Sequence, residues 1–237
     1  MIKLHIFGRF GDLPDLSPYC LKVDAYMTMA GVGFERVSGI ENLKKAPKGK
    51  LPFIEDNGEI IADSSFIIAH LQARYGDPLN EHLSTEQKAI SHAFCKMLDE
   101  NLYWCLVWTR WSGEEIWPQL KQNLFGSLPP LLRGLVAAKV RKGVLNTLQG
   151  QGLGRHSATE IKTIMMKDLQ ALSDFLGDKS YFFGNRPSVL DAVAYGFLAQ
   201  FLLAPLQSSV TQVAKGYPNL VSFCRRIQST YYQDQTR

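Results

Sequence analysis

The chain has little of what would tie it to a metal, a disulfide framework or a bilayer. Only four of its 237 residues are cysteines, Cys20, Cys95, Cys105 and Cys224. They lie far apart with no Cys-x-x-Cys, which excludes the usual zinc and disulfide scaffolds and points to a reducing compartment. The five histidines (His5, His70, His82, His92 and His156) are dispersed, and no pair has metal-ligand spacing. No apolar run approaches the ~18 residues needed to span a bilayer. Met1-Ile2-Lys3 leads straight into an alternating pattern without a signal-peptide core, so a cytoplasmic location is expected. Basic charge is also sparse: the net charge is +4, and Lys44, Lys45, Lys48 and Lys50 form the only dense cluster before the C-terminal half. A nucleic-acid binder carries a stronger stripe, so nucleic acid is not an expected partner. Gly150-Gln151-Gly152-Leu153-Gly154 has the wrong spacing for a dinucleotide loop and reads as a connection after a helix. No internal repeat is present.

What remains is an ordinary globular composition, 46% hydrophobic and 20% charged, enough for a sizeable core. Ile2, Leu4 and Ile6 alternate with Lys3 and His5, the period of a half-buried strand. Ser17-Pro18 opens a helix whose Val23, Tyr26, Met27 and Ala30 share one face, with Gly31 as its stop. A short strand is predicted over 34–37, a hairpin around Phe53 and Ile61, and a helix over 64–75 closed by Gly76. The order is β-α-β, a lysine-rich connection, then β-β-α. The polar stretch from Asp77 to Ser84 reads as a linker between a first domain, 1–77, and a second, 84–237. Beyond it the patterns are helical, over about 85–111, 131–148, 158–176, 189–203 and 219–227. The expected class is therefore an α/β domain followed by an all-α domain.

The most informative segment is Leu51-Pro52-Phe53-Ile54, followed by Asp56-Asn57-Gly58, Ile60-Ile61-Ala62 and Asp63-Ser64. A proline that begins a strand cannot donate a ladder hydrogen bond, so it sits at an edge or holds a special geometry, often a cis bond. Asp-Asn-Gly between apolar runs signals a hairpin. Asp63-Ser64 then reads as a helix start, whose free N–H groups, together with the backbone beside Pro52, can grip a peptide-like anion.

The βαβ-ββα order, with Ser17-Pro18-Tyr19-Cys20 at the first helix, Pro52 before the third strand and Asp63-Ser64 at the last helix, resembles a thioredoxin-like domain. Followed by an all-helical domain, the whole chain resembles the cytosolic glutathione transferase superfamily. Gly184-Asn185-Arg186-Pro187-Ser188-Val189-Leu190-Asp191 is similar to the segment that opens a buried helix in that family's second domain, where Ser188 and Asp191 fit a reciprocal capping box. Ser17-Pro18-Tyr19-Cys20-Leu21-Lys22, the segment from Leu102-Tyr103-Trp104 to Arg110-Trp111, and Gly152-Leu153-Gly154-Arg155-His156 look like the failed-axon-connections and metaxin-like subgroup, whose members are not uniformly enzymes.

The resemblance implies glutathione as co-substrate, a small-molecule electrophile, a homodimer, and a site built as follows. Ser17 stands where redox relatives carry their first cysteine; its hydroxyl would hydrogen-bond the glutathione thiolate, aided by the helix N-terminus. Lowering a thiol pKa from about 8.5 by roughly two units corresponds to about 2.7 kcal/mol, within reach of one charge-assisted hydrogen bond plus the dipole. Ser17-Pro18 also satisfies a generic helix start. Tyr19 would offer a phenol to the thiolate, and Cys20, in the place of the second redox cysteine, would allow thiol transfer or peroxidase chemistry unless it is simply a buried small hydrophobe. Pro52, through a cis bond, would hold the Leu51 backbone extended to pair with the cysteinyl unit, and Asp63 and Ser64 would take the γ-glutamyl end. Lys50 or Arg9 would pair with the glycyl carboxylate. Tyr103, Trp104 and Trp108 would wall an apolar co-substrate pocket or else belong to the core, with Arg110 a buried or stacked cation among them. The alternative reading is a noncatalytic interaction or ligand-binding module.

Overall fold

A computed structural model describes residues 1–126 and 128–233. Strand β1 (Ile2–Ile6) is followed by α1 (Pro18–Met29), which carries the chain across to β2 (Phe34–Ser38), parallel to β1. Strands β3 (Phe53–Asp56) and β4 (Glu59–Ala62) complete a four-stranded mixed sheet of order β2-β1-β3-β4, with β3 antiparallel to both neighbours. The β3–β4 hairpin turns at Asn57 and Gly58, both at positive φ (49° and 88°), as a tight two-residue turn requires. Helix α2 (Ser64–Tyr75) closes this thioredoxin-like half.

Pro52 precedes the first paired residue of β3, which is an internal strand. The edge alternative therefore falls, and the special geometry holds: the Leu51–Pro52 peptide is cis.

The rest is helical. Helix α3 (Thr85–Met97) passes through a π turn at Leu98–Leu102 into α4 (Tyr103–Trp111), so the single predicted helix over 85–111 is continuous but locally widened. Next come α5 (Trp117–Phe125), α6 (Pro130–Gln151), α7 (Ala158–Leu176), α8 (Val189–Leu202), α9 (Ser209–Ala214) and α10 (Pro218–Tyr231). The short α5 and α9 are the two helices that periodicity missed. Each has at most two and a half turns, too few for an apolar stripe to repeat.

Helix α8 is the centre of the molecule, buried at every position from Leu190 to Leu202. A helix apolar all round has no solvent face and must be enclosed. It crosses α1 at backbone distance, because a Cβ on Gly196 would lie 2.8 Å from both Cα and N of Lys22. The neighbour is backbone and cannot rotate away, so Gly196→Ala is expected to lose about 1–3 kcal/mol in denaturant unfolding. A loss under about 0.5 kcal/mol would show that α1 and α8 can separate freely.

Candidate functional site

One cleft of about 620 Å³ opens where the N-terminal ends of α1 and α2 face the α3–α4 helix. That size is ordinary for a small-molecule site. From the first half it is lined by Phe7, Ser17, Tyr19, Leu43, Lys48, Lys50, Leu51, Pro52, Asp63, Ser64, Ser65 and Phe66; from the second by Lys96, Asp99, Glu100, Tyr103 and Trp104. The three segments singled out from sequence thus converge on one wall, and two of the three predicted aromatics stand opposite.

Ser17 is the N-cap of α1, in an extended conformation that directs its side chain over the first turn. Its Oγ accepts a long 3.4 Å hydrogen bond from Cys20 N, leaving the hydroxyl proton to donate elsewhere. The loop before it is held by Asp15, a fully buried carboxylate accepting from Gly8 N at 2.7 Å and Ser17 N at 2.6 Å. Burial pushes the Asp15 carboxyl up to about 7 against those two donors.

At the middle of the wall, Leu51 makes no backbone hydrogen bond outside the strands among the described residues, so its peptide groups are open to a ligand strand. At the far end, Asp63 is the N-cap of α2 at φ 87°, a strained left-handed conformation for a residue with a Cβ. Its carboxylate accepts from Ser65 N at 2.9 Å, while Ser64 is buried at the helix start with its N–H outside the helical ladder. Strain held at a ligand-sized cleft is what a binding clamp shows. Three lysines, Lys48, Lys50 and Lys96, line the cleft together with three carboxylates, Asp63, Asp99 and Glu100, so it offers charges of both signs; Lys48 also sits 4.8 Å above the exposed Phe66 ring.

Several expectations need correction. Tyr19 lines the cleft, but its phenol donates to the Asp99 carbonyl at 2.7 Å, so its one proton is committed; burial also pushes its pKa far above the ordinary tyrosine range, which keeps the phenol protonated. Cys20 points the other way. It is wholly buried and outside the cleft, and desolvation, reinforced by the charge of Asp15, holds its thiol well above the ordinary cysteine value. A thiol kept protonated and out of reach cannot attack a disulfide, which removes the thiol-transfer role. Trp108 lies four residues beyond Trp104, about 6 Å further along α4, and packs against the core outside the cleft. Arg9 is not a lining residue either. Arg110 is the buried cation foreseen, 5% exposed.

Sequence reasoning missed Lys48, Lys96, Glu100 and Phe66 as site residues. Lys48 was visible only as part of a cluster. Glu100 lies in the π turn, which helical periodicity does not register, and Lys96, in the last turn of α3, reads from sequence as an ordinary solvated charge.

This geometry has counterparts. A model of the glutathione S-transferase N-terminal domain matches residues 18–116, and one of the C-terminal domain matches residues 165–227. An isoprene-epoxide–glutathione S-transferase from Rhodococcus sp. (strain AD45) is 35% identical over 240 residues, covering 98% of this chain and 99% of that protein. The chain belongs to the glutathione S-transferase family. Other relatives include Failed axon connections of Drosophila melanogaster, 35% identical over 99% of this chain, which spans 59% of that longer protein. Metaxin-2 of Homo sapiens is 27% identical over 91% of this chain and 82% of its own length. The same fold is seen in the β-etherase LigF of Sphingobium sp. strain SYK-6, with a TM-score of 0.67 at 18% identity and coverage of 98% and 97%. Family membership thus agrees with the resemblance read from Ser17-Pro18, Pro52 and Asp63-Ser64. Among the described residues no helix is long and apolar enough to cross a membrane, and no cluster of side chains suits a metal ion.

Proposed function

We propose that this protein is a glutathione transferase that binds glutathione along the wall from Ser17 to Ser64 and delivers its thiolate to an apolar electrophile held against Tyr103 and Trp104. The observation that carries this reading is the convergence of Ser17, Leu51-Pro52 and Asp63-Ser64 on a single cleft with an aromatic wall opposite. Ser64 and the α2 N-terminus would receive the γ-glutamyl carboxylate, and Asp63 the amino group. The Leu51 peptide would pair with the cysteinyl unit, and Lys50, with Lys48 beside it, would pair with the glycyl carboxylate. Ser17 Oγ would donate to the sulfur. The thiol proton passes to solvent, the thiolate attacks the electrophilic carbon, the C–S bond forms as the bond to the displaced atom breaks, and that atom keeps the electron pair; in an epoxide it stays on the product as an alkoxide that takes a proton from water. Acceleration would come from ionising the thiol and from holding both reactants in one cleft. The Rhodococcus relative, named for transfer of glutathione to an epoxide, supports an electrophile of this kind.

Ser17→Ala removes one charge-assisted hydrogen bond, so kcat/KM is expected to fall about 10- to 100-fold, with a matching rise in the bound thiol pKa seen by ultraviolet titration. An unchanged thiol pKa would remove Ser17 from this role. Calorimetry with glutathione decides against the alternative: absence of binding at millimolar ligand leaves a noncatalytic interaction module. The family resemblance implies a homodimer. A purely monomeric species in sedimentation would refute it.

A further inference from the structure

Arg110 is a buried cation that no carboxylate touches. Its Nη1 donates to the Leu16 carbonyl at 2.7 Å and its Nη2 to Gln200 Oε1 at 2.5 Å, while Nε has no hydrogen-bond partner among the described residues. No acidic side chain lies within 4 Å of it among those residues. Both of its contacts lead to the same loop, because Gln200 Nε2 donates in turn to the Asp15 carbonyl at 3.1 Å.

The Leu16 carbonyl and the Ser17 N–H belong to one peptide group. Arg110 grips its oxygen, and the Asp15 carboxylate accepts from its nitrogen. Arg110 and Asp15 are therefore bridged by the peptide immediately preceding the Ser17 side chain instead of meeting directly, and burial leaves the Asp15 carboxyl, raised to about 7, with only part of a charge at neutral pH to set against the guanidinium. Taking a guanidinium out of water without a contacting carboxylate is costly, and a fold that needed only a brace here could use a neutral donor. What a neutral donor cannot supply is field. The charge is also felt on the opposite wall, where it works against burial in setting the acidity of the Tyr103 phenol.

We propose that Arg110 is an electrostatic positioning residue for the glutathione thiolate: reaching over from α4, it orients the Leu16–Ser17 peptide and places a low-dielectric positive charge behind the Ser17 hydroxyl. The second half of the molecule thereby takes part in activating a thiol bound by the first. This rests on the transferase reading above.

The test is an ultraviolet titration of the bound thiol, with calorimetry, in wild type, Arg110→Lys and Arg110→Gln. In Arg110→Gln the thiol pKa is expected to rise by about one unit, a 10-fold loss of thiolate, while the glutathione Kd changes less than about 3-fold. Arg110→Lys should recover most of the shift, since it keeps the charge. Gln200→Glu gives an independent arm should Arg110→Gln fail to fold: a carboxylate set against the guanidinium cancels its field, and the same upward shift is expected. A folded Arg110→Gln or Gln200→Glu with the wild-type thiol pKa overturns the proposal. If Ser17→Ala still raises that pKa, only the role of Arg110 falls; if wild type binds no glutathione, both readings fall together.

Discussion

Lys22→Met is expected to cost about 3–5 kcal/mol in denaturant unfolding, because it strands a buried carboxylate. Lys22 Nζ lies 2.8 and 2.9 Å from the two oxygens of Asp99, with the side chains only 3% and 5% exposed. In such a place the attraction between the two charges does little more than offset the loss of hydration of both. Removing one partner leaves that loss without its offset. The double variant Lys22→Met/Asp99→Leu, which removes both charges, should therefore recover at least about 2 kcal/mol of the loss. A single variant within about 1 kcal/mol of wild type would mean that water reaches Asp99 through the cleft it lines. The pair also matters for the site. Asp99 belongs to the π turn between α3 and α4, and its carbonyl accepts the Tyr19 phenol, so two hydrogen-bonded contacts from α1 lock the turn that presents Glu100 and Tyr103. Loss of the pair is expected to raise KM for the electrophile more than that for glutathione.

Asp191→Ala should lower stability by a similar amount, about 3–5 kcal/mol, for a different reason. The Asp191 carboxylate accepts from Ser188 N at 2.7 Å, Ser188 Oγ at 2.6 Å and Phe182 N at 2.9 Å, all within the buried start of α8. Alanine leaves those three donors without an acceptor, at about 1–3 kcal/mol for each that water cannot reach. The expected capping box is present, and beyond it the Ser188 hydroxyl donates into the carboxylate while the Asp191 amide bonds to the Ser188 carbonyl at 3.1 Å. Burial raises the Asp191 carboxyl to about 6 in spite of its three donors. Asp191→Asn retains one acceptor and is expected to lose less than half as much. Equal losses for Ala and Asn would locate the effect in charge rather than in hydrogen bonding.

These two sites show how differently the chain discloses its parts. Ser188 and Asp191 are three residues apart, so their relation is local and legible from spacing. Lys22 and Asp99 are 77 residues apart, each looking like a solvated charge until α1 meets the π turn. The same division runs through the cleft. Ser17, Pro52, Asp63 and Ser64 announce themselves by helix-cap and strand-start chemistry, because such features depend on neighbours in sequence. Tyr19 and Cys20 were ambiguous for the opposite reason. Which way a first-turn side chain points, and whether its proton is already given away, depends on the Asp99 carbonyl and the buried Asp15.

From the chain alone came the order of the strands and long helices, the hairpin turn at Asn57-Gly58 and the three backbone features that meet at the cleft, since periodicity, turn preference and capping act over a few residues. Only the folded molecule decided that Trp108 packs against the core outside the cleft, that Lys48 and Lys96 line the cleft, and that Arg110 holds the Leu16 carbonyl next to Ser17. Those outcomes depend on how α1, α4 and α8 cross. Close packing sets the crossings, down to the absence of a Cβ at Gly196, and no short-range pattern encodes them.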